Sequence, residues 1–307
     1  MTEKPIKEKI AVLMGGASSE RDISIKSGTA VHKALSSLEL NVSCIDVSAD
    51  PIKQIRQTKG EIAFIALHGK FGEDGTIQAM LEKENIPYTG SGPDASRLAM
   101  NKIASKKMFK DAGLPTPEFI TLDKNGARHH FKKWCLAPFF PIVVKPNKEG
   151  SSIGMSVVRK KEDLQKAIDN AFLYDDDIII EEFIDGDDIT VGILEDKPLP
   201  VVRIKPKQGI YDFDAKYAKG MSKYEVPAKL KANVIKEAQD LGFKVHKLLS
   251  CRCFSRVDMR LSKDNKIKIL ELNTVPGLTT TSLLPKAANA AGINFAQMCL
   301  KMLRNYG

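Results

Sequence analysis

Residues 257–273 read VDMRLSKDNKIKILELN, and the rest of the chain is read outward from how this stretch folds. VDMRL and KIKILEL alternate or run apolar, as strands do, and the polar SKDNK between them reads as a turn. A turn centred on Asp264 and Asn265 sets Asp258 directly across from Glu271, and Arg256 across from Asn273. All four then lie on one face, because residues two apart in a strand share a face. Like charges in opposed positions destabilise a sheet. Two acids at about 5 Å repel by roughly 3 kcal/mol at an effective dielectric near 20. A fold keeps such a pair when something positive sits between them.

The chain has 307 residues, 43% hydrophobic and 28% charged, a globular balance with room for two or three domains. No apolar run approaches the roughly 18 residues of a membrane helix. The charged start, MTEKPIKEKIAVLMGG, lacks the apolar core and cleavage site of a signal peptide. Five scattered cysteines, Cys44, Cys135, Cys251, Cys253 and Cys299, are odd in number. Their one close pair, Cys251 and Cys253, reads as buried or half-buried thiols rather than a metal site. A reduced, cytoplasmic protein is expected. The net charge of +9 comes from lysines spread along the whole chain, without a basic tail or block. It reads as solvated surface, or as attraction for a small anionic substrate, rather than as a nucleic-acid footprint.

Toward the N-terminus, KIAVLM ends at Gly15-Gly16, and SSERDIS leads into an amphipathic run that closes near Leu38. NVSCIDV, a short helix and EIAFIAL follow, ending in HGKFGEDG, and a helix is expected from about Asp74 to Lys83. This alternation predicts a parallel α/β sheet for residues 1–98. In such sheets ligands bind beyond the carboxyl ends of the strands, where GGASSE and HGKFGEDG fall. From Asn101 the pattern changes to helix KIASKKMFKDAG, a helix over 128–136, strand PIVVKP, glycine loop KEGSSIG, strand MSVV, a helix over 161–173 and strand DIIIEEFI. These predict a small α+β unit over 99–186. Residues 187–307 read as a hairpin across KPLP, a polar glycine-bearing loop, a helix from Ala228 to about Leu249, the opening hairpin and two C-terminal helices.

In VVKPNKEGSSIG a lysine leaves a strand at Lys145, and Ser151 and Ser152 sit between Gly150 and Gly154. Glycines let a backbone approach an anion, and successive N–H groups with hydroxyls can cradle phosphate. Neither the G-x-x-x-x-G-K-[ST] loop nor the dinucleotide fingerprint is present. A hairpin loop closing over a nucleotide fits better, with a plain glycine–serine turn as the alternative. Lys102, at a helix start, is a second candidate cation for phosphate. IIIEEFIDGDDIT supplies a strand whose backbone could meet an adenine edge, while Glu181 or Asp188 accepts from its amine or from ribose hydroxyls. A nucleoside triphosphate brings Mg2+, held by one or two carboxylates plus phosphates. Asp258 and Glu271, with Asn273 beside them, are an oxygen set of that kind. Arg256 on the same face could neutralise charge on a transferring phosphoryl group.

The motifs GGASSERDIS, ALHGKFGEDG, YTGSG, NKIASK, VVKPNKEGSSIG, DAKY, SRVDMRL and ILELNTVPGLTTTSL resemble, in order and spacing, those of the D-alanine–D-alanine ligases. These are ATP-grasp enzymes of peptidoglycan synthesis, and the resemblance covers essentially the whole chain. It implies an N-terminal α/β substrate-binding domain over 1–98 and a two-part ATP-grasp fold, its small subdomain over 99–186 and its C-terminal part over 187–307. It implies ATP-dependent joining of two D-alanine molecules through a D-alanyl phosphate, releasing ADP and phosphate. The working form it implies is a cytoplasmic homodimer with two Mg2+ ions, or Mn2+ in their place.

Residue by residue, the resemblance implies that Glu20 holds the ammonium of the first D-alanine, with His68 nearby. Lys102 and Lys145 hold ATP phosphates under a glycine loop carrying Glu149, Ser151 and Ser152. Glu181, Glu182, Phe183 and Ile184 take the adenine, and Asp188 the ribose. Lys216 and Tyr217 lie on a loop that closes over bound ATP. Asp258, Glu271 and Asn273 coordinate the metal, Arg256 and the Gly277 backbone stabilise an oxyanion, and Ser282 with Leu283 binds the carboxylate of the second D-alanine. The catalytic set implied is Glu20, Ser151, Tyr217, Arg256, Gly277 and Ser282. Three positions depart from the family pattern. Asp188 stands for a usual glutamate, so that Asp187 could share the hydroxyl contact; Ser255 stands where many members have glycine; Thr281 stands where some have histidine. The Lys216-Tyr217 pair matches the dipeptide-forming members and argues against D-lactate as second substrate.

His32, His129, His130 and His246 are expected on helix faces, and Trp134, Phe139 and Phe140 in the packing of the small unit. Three rival functions are a ligase taking D-lactate or another D-amino acid, an ATP-binding regulatory module without turnover, and a nucleic-acid binder. Intact Glu20, Arg256, Asp258, Glu271 and Asn273 weigh against the second, and steep salt-dependent affinity would mark the third.

Overall fold

Three sheets account for the strands of the computed structural model, which describes residues 6–47, 50–124, 140–206 and 221–304. The helix expected over 128–136, with His129, His130, Trp134 and Phe139, lies outside those residues, as do Lys216 and Tyr217. The first sheet is parallel in the order β2-β1-β3, with β1 Ile10–Gly15, β2 Val42–Val47 and β3 Ile62–Ile65. β1 reads as a continuous apolar run because both its faces are covered. Ile10 and Val12 pack with Val31 and Leu35 of helix α1 (Arg21–Ser36) and with Leu284, Met298 and Met302 near the C-terminus. Ala11 and Leu13 face Ile55 and Leu81, from helices α2 (Pro51–Thr58) and α3 (Thr76–Lys83). Helix α4 (Pro93–Met100) had no counterpart in the sequence reading, and residue 98 falls inside it.

The second sheet is antiparallel in the order β4-β7-β5-β6: Phe119–Asp123, Asp177–Glu182, Ile142–Pro146 and Ser156–Val158. Helices α5 (Lys102–Asp111) and α6 (Leu164–Ala171) belong to this stretch. Leu164 and Ile168 of α6 cover Val144, Val158, Ile178 and Ile180, and Phe140 packs at the margin. The third sheet runs β11-β10-β8-β12-β13, with the short β9 (Lys197–Pro198) beside β8. Here β8 is Gly186–Leu194, β10 Val202–Pro206, β11 Ser222–Glu225, β12 Phe254–Ser262 and β13 Ile267–Asn273. Helix α7 (Ala232–Leu248) buries its apolar stripe on one face of that sheet, and α8 (Leu283–Ala290) and α9 (Phe295–Arg304) close the chain.

The hairpin that opened the sequence reading reaches the expected pairing by another route. Its turn holds three residues, Lys263, Asp264 and Asn265, with Ser262 N–H on Lys266 O at 2.9 Å. Asn265 takes the left-handed conformation, φ +61, which asparagine tolerates. Leu261 pairs Ile267 and Met259 pairs Ile269, one residue out of step with the expected register. An irregularity then gives β13 one extra residue, Leu270, and brings Asp258 opposite Glu271 and Arg256 opposite Asn273. The bulge lets Ile267, Ile269 and Leu272 enter the core while Leu270, Glu271 and Asn273 share the other face. Its sequence signature is the break in alternation at Ile269-Leu270.

Cys251 and Cys253 are buried thiols, each pushed up to about 12 by burial. His246 is more than a helix-face residue. It is fully buried, with Nε2 3.0 Å from Asp196 Oδ1 and Nδ1 2.7 Å from Ser255 Oγ. A carboxylate only accepts, so the ring proton sits on Nε2 and Ser255 O–H donates to Nδ1. This gives Ser255, at a position where glycine was the family expectation, a structural use. Burial holds His246 below its ordinary 6.5, with Asp196 opposing only in part. The unfolded chain therefore takes up that proton first, and the stability contributed is whole above pH 6.5 and lost as pH falls through the folded value. His246→Asn should melt lower than wild type at pH 7, by the scale of one or two buried hydrogen bonds, about 1–3 kcal/mol. Thermal melts should also show it losing less stability than wild type between pH 7 and 5; an equal loss would remove His246 as the titrating group.

Candidate active site

Three adjoining cavities lie where the carboxyl ends of β1 and β3 meet the other two sheets. The first lies between the two antiparallel sheets, with about 970 Å³ of empty space including its open mouth. Val143, Ile153, Met155 and Val157 form one wall, and Ile184, Met259 and Leu270 the other; Lys102, Lys145, Glu149, Ser152, Glu181, Asp188, Asp258 and Glu271 are its polar lining. Glu182 and Phe183 also line it. The second cavity gathers Glu20, His68, Ser151, Asn273 and Gly277. The third opens between α1 and the start of α8, lined by Lys26, Lys33, Thr281, Ser282 and Leu283. Lys102, Glu149 and Glu271 line both the first and second, and Arg256 and Gly277 both the second and third. Every expected site residue within the described stretches lines this one channel.

At its centre the two facing acids are each met by a cation of the chain itself. Arg256 forks onto Asp258, Nε to Oδ1 at 2.8 Å and Nη2 to Oδ2 at 2.7 Å. Asp258 also accepts from Thr190 Oγ1 at 2.6 Å and Asn273 Nδ2 at 3.1 Å. Glu271 Oε2 lies 3.4 Å from Lys102 Nζ, which also donates to Glu149 O at 2.7 Å. The repulsion read from the sequence is thus relieved by Arg256 and Lys102.

Two loops meet at Glu20, which is 7% exposed and precedes α1. Ser151 Oγ donates to its Oε1, and a Cβ on Gly150 would stand 2.5 Å from its Oε2, so a side chain there would displace the Glu20 carboxylate. In the glycine loop it is Ser151 (φ +51) and Ser152 (φ +60) that take the left-handed conformation, at a cost of order 1–3 kcal/mol each. Ile153 N–H closes that turn on Gly150 O at 3.0 Å. Lys70, from the loop after β3, holds Glu149 at 2.5 Å, so the N-terminal unit latches the glycine loop directly.

His68 is buried, with Nδ1 3.1 Å from Val275 O and Nε2 2.8 Å from Ser27 Oγ. A carbonyl only accepts, so Nδ1 carries the proton and Ser27 O–H donates to Nε2, while Ser27 Oγ accepts Leu278 N–H at 3.2 Å. His68 therefore acts through Ser27 on the segment carrying Gly277. Ser282 stands at the N-cap position of α8 without a side-chain capping bond, and its Oγ meets Thr279 Oγ1 at 2.8 Å.

The Asp187 carboxylate pairs with Arg203 at 2.6 Å and does not line the first cavity. Asp188 does line the cavity, pinned to Arg260 Nη1 at 2.8 Å. Arg260, which the sequence reading passed over, also donates to Ile184 O and Gly186 O at 2.8 Å and lies over the Phe183 ring at 5.6 Å. The alternation that put Arg256 and Asp258 on one face included it. Lysine cannot reproduce that fork, so with ATP in this cavity, as the resemblance implies, Arg260→Lys should raise its KM about tenfold, the scale of one lost charged hydrogen bond, with kcat little changed. Steady-state kinetics decide it; a pure kcat loss would contradict the assignment.

Comparison with known proteins follows the same lines. A family model described as D-ala D-ala ligase C-terminus matches residues 108–304, and one described as D-ala D-ala ligase N-terminus matches residues 48–91. The D-alanine–D-alanine ligase of Syntrophotalea carbinolica is 44% identical over 297 residues, covering 96% of this chain and 95% of the relative. A crystal structure of D-alanine–D-alanine ligase from Bacillus anthracis superposes with a TM-score of 0.87 at 35% identity, over 97% of both chains. The structure of that enzyme complexed with ATP gives a TM-score of 0.83 at 34% identity, over 96% of both. With matching sequence models at both ends and the fold shared over nearly its whole length, the chain belongs to the D-alanine–D-alanine ligase family.

Proposed function

We propose that this protein joins two D-alanine molecules at the expense of ATP, through a D-alanyl phosphate, giving D-alanyl-D-alanine, ADP and phosphate for peptidoglycan precursor synthesis. The observation that carries the reading is the order of the three cavities, each sharing residues with the next. In this reading ATP occupies the first, its adenine along Glu181, Glu182, Phe183 and Ile184 and its ribose at Asp188. Lys102 and Lys145 meet the phosphates, and the turn at Ser151 and Ser152 covers them. The first D-alanine lies in the second cavity with its ammonium on Glu20, near His68. Its carboxylate then faces the γ-phosphoryl group in line and attacks it. The second D-alanine enters from the third cavity, its carboxylate on Ser282 and the Leu283 N–H, where a helix N-terminus favours an anion. Its amine attacks the acyl carbonyl, and Arg256 with the Gly277 N–H stabilises the oxyanion until phosphate leaves. Lys216 and Tyr217, which the family resemblance adds to this set, lie outside the described residues.

Asp258, Glu271 and Asn273 fit two Mg2+ ions, with Mn2+ as a substitute. The donors are hard oxygens, and two carboxylates beside a triphosphate are what Mg2+ takes. Among the described residues no group of three or more His, Cys, Asp or Glu is placed to hold a metal ion, so phosphate oxygens would have to supply the remaining ligands. When bound, the ions would neutralise charge on the transferring phosphoryl group. Asp258 is shared with Arg256 in that arrangement, so metal and guanidinium adjust together.

The same reading takes residues 1–98, 99–186 and 187–307 as the working units of a cytoplasmic homodimer. Among the described residues no helix is long and apolar enough to cross a membrane. The deciding assay measures phosphate release from MgATP with D-alanine, L-alanine, or D-alanine plus D-serine or D-lactate, and weighs the product. A D-alanyl-D-alanine mass formed only from the D-amino acid is expected. A mixed product in preference to it would move the reading to another D-amino-acid or depsipeptide ligase.

A further inference from the structure

One lysine beside the nucleotide cavity has no place in the steps above. Lys106 is 0% exposed, one helical turn beyond Lys102 on the same face of α5. Lys102 reaches the centre of the channel; Lys106 turns the other way, behind the wall, and does not line any of the three cavities. Its Nζ lies 3.0 Å from Glu181 Oε2 and donates to Thr116 Oγ1 at 2.8 Å. Thr116 O–H passes that bond to Ile269 O at 2.8 Å, and Ile269 N–H returns to Pro115 O at 2.8 Å. The chain of contacts thus runs from a wall carboxylate of the nucleotide cavity to the residue just before the Leu270-Glu271 bulge. On the cavity side, Lys145 Nζ holds the other oxygen of Glu181 at 2.6 Å. One buried carboxylate therefore has two ammonium partners, of which only Lys145 reaches the ligand space.

We propose that Lys106 is a positioning residue for nucleotide binding: by keeping Glu181 neutralised and fixed from behind, it frees Lys145 to swing from Glu181 to the phosphates. This rests on the nucleotide reading of the first cavity. A lone Glu181–Lys145 pair in a dry wall would hold Lys145 tightly, since a buried carboxylate stripped of its cation is strongly unfavourable. With Lys106 in place, Lys145 departs and Glu181 still has a partner. Lys106→Met removes that partner and ties Lys145 to Glu181. Lys106→Arg keeps the charge at any accessible pH.

Titration supplies a readout that a packing role would not move. Burial lowers Lys106 to about 8, against the raising influence of Glu181 and Glu271 and with Lys145 lowering it further. Facing it are Glu181 from β7, Lys145 from β5, Glu271 from β13, Thr116, and the Phe119 ring of β4 at 5.8 Å. As pH rises through 8 the ammonium loses its proton, Lys145 is drawn back to Glu181, and nucleotide binding weakens.

The experiment is calorimetric binding of MgADP to the full chain between pH 7 and 9, for wild type, Lys106→Met and Lys106→Arg. D-alanine-dependent phosphate release is measured separately on each. Wild-type Kd is expected to rise as pH passes 8. Lys106→Met should bind about tenfold more weakly at pH 7, the lower end of what loss of a supporting partner costs, with no further alkaline loss. Lys106→Arg should match wild type at pH 7 and stay level to pH 9. Unchanged MgADP affinity in Lys106→Met, or an alkaline loss that survives in Lys106→Arg, would overturn the proposal; if one variant does not fold, the other decides. MgADP binding that follows the expected pattern in a chain making no dipeptide would sink the ligase reading and leave Lys106 standing. Dipeptide synthesis with Lys106-insensitive MgADP binding would do the reverse.

Discussion

Glu271→Gln lowers D-alanine-dependent turnover by at least about 100-fold, the scale on which disturbing a metal's surroundings costs activity, while the melting temperature stays within a few degrees of wild type. Both halves follow from the hairpin. Glu271 stands opposite Asp258 on the channel face, and its cation contact is Lys102 at 3.4 Å. Lys102 keeps its bond to Glu149 O without it. The substitution therefore leaves Lys102 with a partner and removes a like charge facing Asp258, so the fold loses little. The reaction loses an anionic oxygen from the proposed Mg2+ set, and an amide cannot replace its charge. Raising Mg2+ should restore part of the rate, and the Mg2+ activation constant should rise. Wild-type turnover in this variant, or an unchanged activation constant beside lost activity, would remove Glu271 from the metal set.

Arg256→Lys gives the second large effect: a fall in kcat of about 100- to 1,000-fold, the loss seen when a transition-state donor is removed, with the KM for ATP near wild type. The guanidinium makes two parallel bonds to Asp258, a geometry an ammonium cannot copy. It also lines both the second and third cavities, where the oxyanion would form between the two D-alanines, and it stays clear of the adenine end. The expected signature is therefore on kcat rather than on nucleotide affinity. A stability control matters, because Asp258 keeps Thr190 and Asn273 as partners and the variant should remain folded. A lysine variant with wild-type kcat would take Arg256 out of the chemistry.

Much of this was legible in the sequence because it rests on local periodicity and turn chemistry. The apolar run at Ile10–Gly15, the amphipathic run through Arg21–Ser36 and the glycine loop each carry their own pattern. The alternation of residues 256–260 and 271–273 put the two acids, the arginine and the asparagine on one face. The short strands Phe119–Asp123 and Ser222–Glu225 were not legible. Four or five mixed residues become a strand only when a neighbour supplies the ladder, as Asp177–Glu182 does for the first of them.

What tertiary structure alone decided is how the side chains settle their charges. The sequence set Asp258 against Glu271 but could not say that Arg256 and Lys102 would relieve them, because the Lys102–Glu271 contact joins residues distant along the chain. It could not show that Asp187 turns to Arg203 while Asp188 turns to Arg260, since one step along a strand reverses the face. Nor could it show that Lys106 and His246 are buried with their partners. Burial of an ionisable group is favourable only where packing brings its counter-charge or hydrogen-bond partner to within about 3 Å. The sequence supplied the order of motifs and the face on which Arg256, Asp258, Glu271 and Asn273 stand; the packing of three sheets around them determined which side chains hold one another.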